Sequence, residues 1–184
     1  EAPCGSQQSA RVIGTETEVE FAVVHEVVVN PNDARLGTGG RHIAAADAWS
    51  HVAGLTVGQD ISDRTVQFAA TPPQFSLGKS FDTYGPIGPC LVSVDSFPDP
   101  DDVGLWCEVA GEQMQSDRTS DLIFSVPQLI EYLSSICTLT AGDVIFTGTP
   151  SGVGAGRNRF LAAGEVVTTG ADVIGTISNR CVAP

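Results

Sequence analysis

The chain has 184 residues, 42% hydrophobic and 17% charged, with 22 acidic against 9 basic residues and a formal net charge of −13. That composition folds, and the length supports one sizeable core read as a single domain over 1–184. The acidic balance argues against nucleic acid and anionic membranes as partners, since both need basic patches, and no apolar run approaches the roughly 20 residues of a membrane-spanning helix.

Residues 1–15 read as loop, and the opening EAPCGSQQSA lacks the basic and apolar regions of a signal peptide. TEVEFAVVHEVVV (17–29) is Val-rich and predicts a strand, followed by a turn cluster over 30–40. Residues 44–54 read as a short helix stopped by Gly54, and LTVGQD (55–60) as a strand. PCLVSVDS (89–96) and LWCEVAGEQMQ (105–115) predict further strands, the second turning at Gly111. The clearest helix is 125–137. Ser125 and Gln128 have capping-box spacing, Pro127 falls in the first turn, and Leu129, Ile130, Leu133 and Ile136 make an apolar stripe for the core. DVIFTGTPSGVGAG (143–156) runs from a short strand into a glycine loop, and 165–182 reads as a terminal strand pair. Many short strands with two or three helices predict an α+β fold, mainly β. Cys4, Cys90, Cys107, Cys137 and Cys181 are odd in number and lack CxxC spacing. They predict free thiols, mostly packed in the core, in a reducing compartment such as the cytoplasm.

Three groups of residues have chemical potential. Glu18 and Glu20 stand two apart on a predicted strand and so share a face, with Val19, Phe21 and Val23 on the other. Ala22 and Val24 continue the carboxylate face, which gives it an apolar inner end. A cation between the glutamates would relieve their repulsion; a solvated strand edge is the plain alternative. Asp60, Arg64 and Gln67 would share one side of a helical turn beginning at Asp60. They could serve as metal ligand, anion clamp and oxyanion donor, or as an N-cap with an i,i+4 ion pair. The loop GTPSGVGAG (148–156) offers hydroxyls and accessible N–H groups but matches neither a P-loop nor a nucleophile elbow. Lys79, in GKSFDTYGPIGP, is the only lysine; the other eight basic residues are arginines.

Together TEVEFAVV, GLTVGQDISDRTVQ, KSFDTYGPIGP and GDVIFTGTPSGVG resemble, in order and rough spacing, the fumarylacetoacetate hydrolase family. The resemblance runs from residue 17 onward and implies the mixed β-sandwich or roll of that family's C-terminal domain. It implies a divalent metal held by Glu18, Glu20 and Asp60, most often Mg²⁺ and otherwise Mn²⁺ or Ca²⁺. Arg64, Gln67 and Lys79 take catalytic positions, and Thr83, Gly148 and Thr149 substrate-binding ones. The family's G-x-N-Y-x-x-H lid has no match here, so the water-activating base is unassigned and the lid is expected to be absent from this sequence. A homodimer is expected, with Trp49 and Trp106 near its interface. Three carboxylates suit Mg²⁺, which prefers oxygen ligands. A 2-oxo acid could chelate such a metal, and its enolate would be stabilised there. The expected function is divalent-metal-dependent chemistry on a small anionic 2-oxo or 1,3-diketo acid, led by C–C hydrolysis of an acylpyruvate-like substrate. Decarboxylation, isomerisation or hydration of a related 2-oxo diacid comes next. A non-catalytic metal-holding domain that binds a dicarboxylate or a partner protein is the reading from another class.

Overall fold

The computed structural model describes residues 7–11, 17–20 and 39–183, the first two stretches by backbone course alone. In chain order the strands are β1 (Gln7–Arg11), β2 (Thr17–Glu20), β3 (Gly54–Gly58), β4 (Asp60–Asp63), β5 (Ile87–Ser93), β6 (Gly104–Val109), β7 (Glu112–Arg118), β8 (Val166–Ala171) and β9 (Gly175–Val182). The helices are α1 (Arg64–Gln67), α2 (Val126–Ile136) and α3 (Gly154–Arg157). The fold is α+β and mostly sheet, as the strand-rich sequence predicts.

The main sheet has the order β1-β9-β8-β6-β7. The β6–β7 hairpin turns at the predicted Gly111, β8–β9 is the predicted terminal strand pair, and β6 alternates with Leu105, Cys107 and Val109 buried. β1 corrects the reading of 1–15 as loop: it pairs in parallel with β9, Gln7 opposite Ser178 through Arg11 opposite Val182. Its polar sequence gives no strand signal, because the partner that holds it is more than 160 residues away. The expected continuation of β2 through Phe21, Ala22, Val23 and Val24, the turn cluster over 30–38, and Cys4 lie outside the described residues.

Two ribbons stand beside this sheet, β3 with β5 and β2 with β4. All five residues of β3 are buried, and Leu55 and Val57 join Ile43, Val52, Val103, Ile130 and Ile177 in the larger core. The predicted helix over 44–54 is a 3-10 segment, Ala45–His51, and Gly54 opens β3 instead of ending a helix. The predicted strand 55–60 is two strands divided at Gln59.

Gln59 is fully buried. Its Nε2 donates to Thr169 Oγ1 at 3.0 Å, and its Oε1 accepts from Asn179 Nδ2 at 2.8 Å. This polar knot ties the start of β4 to the main sheet. Gln59→Leu would strand the buried Asn179 amide, a cost of about 1–3 kcal/mol, and leave Thr169 Oγ1 only its bond to Cys107 Sγ at 3.4 Å. Urea denaturation should show a loss of about 2–4 kcal/mol; an unchanged midpoint would show that the knot contributes nothing.

α2 forms as its sequence dictates. Ser125 caps it in a reciprocal box with Gln128, and Val126, Ile130 and Ser134 are buried. Ile136 corrects the predicted stripe: it is 59% exposed, as is Tyr132 at 65%. Residues 143–150 belong to no sheet among the described residues, contrary to the predicted strand, although Ile145 and Thr147 are buried. No described helix is long and apolar enough to cross a membrane.

A second core joins Ile61, Cys107, Val109, Met114, Leu161, Val167 and Cys181. Burial pushes the Cys107 thiol well up and the Cys181 thiol up to about 11, so both stay protonated near neutrality and neither is a nucleophile. Cys90 and Cys137 are exposed, contrary to the expectation of mostly core thiols.

Candidate active site

The second core supports the β2–β4 ribbon from below. Ile61 is 2% exposed within it. Strand side chains alternate, so Asp60 and Ser62 stand on the opposite face. The register pairs Glu20 with Asp60 and Glu18 with Ser62. Directly opposed residues of an antiparallel pair share a face, so the register assigns Glu18, Glu20, Asp60 and Ser62 to one side of the ribbon. Ser62 carried no signal of its own in the sequence; its place two residues after Asp60 on a strand is what identifies it. Among the described side chains no three carboxylate, His or Cys groups converge as a metal set. Asp60 is a described carboxylate on this face, and Glu18 and Glu20 are placed on it by backbone register.

Lys79 reaches this face. Its Nζ donates to Asp60 Oδ2 at 2.6 Å and to Ser62 Oγ at 2.9 Å. The lysine sits at the end of a 3-10 turn, Leu77–Lys79, and Gly78 is what lets that turn close down. A Cβ on Gly78 would lie 2.5 Å from Gln67 Cγ and 2.8 Å from the Asp63 carbonyl oxygen. The glycine before Lys79 is therefore a packing requirement that lays the ammonium over β4.

Asp60, Arg64 and Gln67 do not share a helix face. Asp60 begins β4, and α1 starts only at Arg64 with Asp63 as its N-cap, accepting from Val66 N at 2.9 Å. Strand geometry displaces the predicted helical turn because Asp60–Asp63 is paired along its length with β2. Arg64 and Gln67 still meet, Nη1 donating to Oε1 at 2.6 Å. Gln67 is fully buried, and its Nε2 donates to the Phe75 carbonyl at 3.3 Å. In this arrangement Gln67 steers Arg64 and pins the loop leading to Lys79. Thr83 follows with a φ of 72°, a left-handed conformation that costs a β-branched residue on the order of 1–3 kcal/mol and is held only where the surroundings impose it.

α3, which begins within the glycine loop, and α1 both stand beside β2. Gly152, at a φ of 109°, passes so close to β7 that a Cβ would lie 2.2 Å from the Met114 carbonyl oxygen. Gly152→Ala should therefore destabilise the protein by about 1–3 kcal/mol through backbone strain alone, read as a lower denaturation midpoint; an unchanged midpoint would mean the loop is free to move away. Thr147, Gly148 and Thr149 also line a cavity of about 250 Å³ with Leu105, Leu122 and Phe124. Neither Asp60 nor Lys79 is among its described lining residues. Trp49 packs on the main core and donates through Nε1 to Asp101 at 3.1 Å, whereas Trp106 covers Gly170 on the sheet.

Residues 14–182 match the family model described as fumarylacetoacetate (FAA) hydrolase C-terminal. The chain belongs to the fumarylacetoacetate hydrolase family. It is similar to the protein named oxaloacetate tautomerase FAHD2A, mitochondrial, of Bos taurus, at 42% identity over 167 residues, covering 90% of this chain and 50% of that one. The chain thus spans about half the length of the curated relatives it matches. The crystal structure of 5-carboxymethyl-2-hydroxymuconate delta-isomerase from Mycobacterium smegmatis superposes with a TM-score of 0.81 at 31% identity, covering 97% of this chain and 65% of that one. Maleylpyruvate hydrolase from Sphingobium sp. SYK-6, crystallised with manganese(II) ion and pyruvate, shares the fold with a TM-score of 0.81 at 24% identity, covering 97% of this chain and 60% of that one. By name, the relatives above 30% identity are a tautomerase and an isomerase, and the hydrolase shares the fold.

Proposed function

We propose that this chain carries the active site of a divalent-metal-dependent enzyme that interconverts the keto and enol forms of a small 2-oxo diacid. The observation that carries the reading is the Lys79 ammonium, held 2.6 Å from Asp60 on the ribbon face to which register assigns Glu18 and Glu20. The donor set fits a hard cation: three carboxylates at cross-strand and next-but-one positions are oxygen ligands of the kind Mg²⁺ or Mn²⁺ takes. When bound, such a metal supplies Lewis acidity to a chelated keto group.

The chain's own residues have separate tasks in this reading. Lys79 offers a point charge to the oxygen that becomes negative as the neighbouring carbon loses its proton. Arg64, steered by Gln67, clamps a distal carboxylate. Gly148, Thr149 and Thr83 contribute N–H and hydroxyl donors to the other end of the acid. The oxaloacetate tautomerase name of the bovine relative favours isomerisation over cleavage. C–C hydrolysis is the second reading, favoured by the family name, and it uses the same enolate with an added water-activating base. The deciding experiment gives the Mg²⁺- or Mn²⁺-loaded protein enol-oxaloacetate and a set of acylpyruvates and follows products. Loss of the enol absorbance without new acids supports tautomerisation. Release of pyruvate and one equivalent of the carboxylic acid from an acylpyruvate supports hydrolysis, whereas pyruvate and CO₂ from oxaloacetate report decarboxylation. Inertness toward all of them with metal bound would leave a dicarboxylate-binding domain.

The protein is further proposed to act as a homodimer. Ile123 is 89% and Phe124 61% exposed just before α2, continuing to Tyr132 and Ile136 on its outer side, an apolar surface suited to a second copy. Light scattering at micromolar concentration should give twice the mass of one chain; a monomer mass counts against it.

A further inference from the structure

β7 contains one residue too many. Cys107 of β6 lies opposite Gln115 and Glu108 opposite Gln113, so Met114 is inserted as a bulge. In a regular strand, neighbouring residues face opposite sides. Here Met114 and Gln115 are consecutive and both 3% exposed. The bulge turns both inward for different purposes. Met114 fills the second core, and Gln115 leaves the sheet to grip the glycine loop.

The grip has a defined polarity. Gln115 Nε2 donates to the Pro150 carbonyl at 2.6 Å and to Thr149 Oγ1 at 3.1 Å. A proline carbonyl only accepts, so the NH₂ end and not the oxygen must face the loop. Its two hydrogens are used by these two acceptors. Thr149 Oγ1 is therefore an acceptor toward Gln115, and its own hydrogen is left for another acceptor. The same strand holds the loop by its backbone, the Met114 carbonyl accepting from Arg157 Nη2 at 3.0 Å. Gln115 Oε1, meanwhile, is buried without a hydrogen-bond partner among the described residues. An orphaned acceptor is a standing cost, and the residue keeps it at the amide that orients a hydroxyl of the candidate site.

We infer that Gln115 is a positioning residue: aimed by the Met114 bulge, it sets the Thr149 hydroxyl as a donor toward a carboxylate of the ligand. The inference rests on the reading of the site as one for 2-oxo acids. Gln115→Met removes the donors at similar size, Gln115→Glu reverses the polarity, and Thr149→Val removes the hydroxyl.

The test uses calorimetry with Mn²⁺ alone and then with pyruvate on the Mn²⁺-loaded protein. Mn²⁺ affinity is expected to be equal in wild type and all three variants, because neither Gln115 nor Thr149 is among the carboxylates proposed to hold the metal. Pyruvate affinity should fall about tenfold in Gln115→Met and in Thr149→Val, further in Gln115→Glu, and no further when Gln115→Met is combined with Thr149→Val. Additive losses, or wild-type pyruvate binding in Gln115→Glu, would overturn the inference. Hydrogen exchange on the metal-free protein reads the grip independently. Residues 148–154 should exchange faster in Gln115→Met while α2 is unaffected, and unchanged exchange in the loop overturns the inference whatever the protein binds. If wild type takes Mn²⁺ but no pyruvate, the 2-oxo acid reading falls, and the exchange result alone decides whether Gln115 positions the loop.

Discussion

Replacing Lys79 by methionine is expected to lower turnover of a 2-oxo acid by about 10²–10³-fold, the loss typical of one donor to a developing oxyanion, while metal binding becomes tighter. The two effects have opposite sign because the ammonium plays two parts. Its Nζ is 2.6 Å from Asp60 Oδ2, so in the metal-free protein it neutralises a proposed metal ligand. A divalent ion arriving at Asp60 must compete with that pairing and then tolerate a like charge beside it. Methionine removes both obstacles and keeps the length of the chain. It also leaves the buried Ser62 hydroxyl without the Lys79 hydrogen bond at 2.9 Å, at a cost of about 1–3 kcal/mol, which folding should survive. Lys79→Arg is the sharper control. It keeps the charge, but its planar fork does not fit a position where one nitrogen meets a carboxylate and a hydroxyl at two different residues of one strand. It should therefore lose most of the turnover as well. Steady-state kinetics under saturating Mn²⁺, paired with calorimetric titration, checks both claims. Full turnover in Lys79→Met would reduce the only lysine of the chain to a structural counter-ion of Asp60.

What the sequence made legible follows from how local each feature is. The Ser125–Gln128 box and the hairpin turn after β6 depend on neighbours a few residues apart, and they form where predicted. Glu18 and Glu20 on one strand face also follow from period alone. Asp60, Arg64 and Gln67 do not take the geometry their spacing suggests. Spacing of four and three fits a helix, but β4 is held extended by pairing with β2, which lies about 40 residues earlier, so only Arg64 and Gln67 sit on the helix. β1 and the bulge at Met114 were invisible for the same reason. One depends on β9 at the far end of the chain, and the other on a register that only the partner strand defines. Gln115 therefore read as an ordinary polar strand residue, and nothing local marked it as the clamp on Thr149. Residues 143–150 erred in the opposite direction: apolar and β-branched, they buried Ile145 and Thr147 without entering a sheet.

Glu20→Gln is expected to abolish tight metal binding while leaving the metal-free protein as stable as wild type or slightly more so. Glu20 stands directly opposite Asp60 in the β2–β4 register, where cross-strand partners are roughly 5 Å apart and like charges are destabilising by up to about 1 kcal/mol. Lys79 offsets part of that repulsion through Asp60, so the gain on removing one charge is a few tenths of a kcal/mol at most. The metal reverses the balance. A ligand that binds only the folded state stabilises it by about 2.7 kcal/mol at a hundredfold excess over its Kd, and losing one of three carboxylates removes most of that increment. The wild-type melting temperature should therefore rise steeply with Mn²⁺ or Mg²⁺, and that of Glu20→Gln should not. Glu18→Gln, opposite Ser62 instead of a carboxylate, should lose the metal-dependent rise without any gain in the metal-free state. A pair of solvated surface glutamates predicts a different outcome: both variants would melt with wild type at every metal concentration, and calorimetry would give equal affinities. That outcome would remove the metal from this site, and with it the proposed chemistry on a 2-oxo acid.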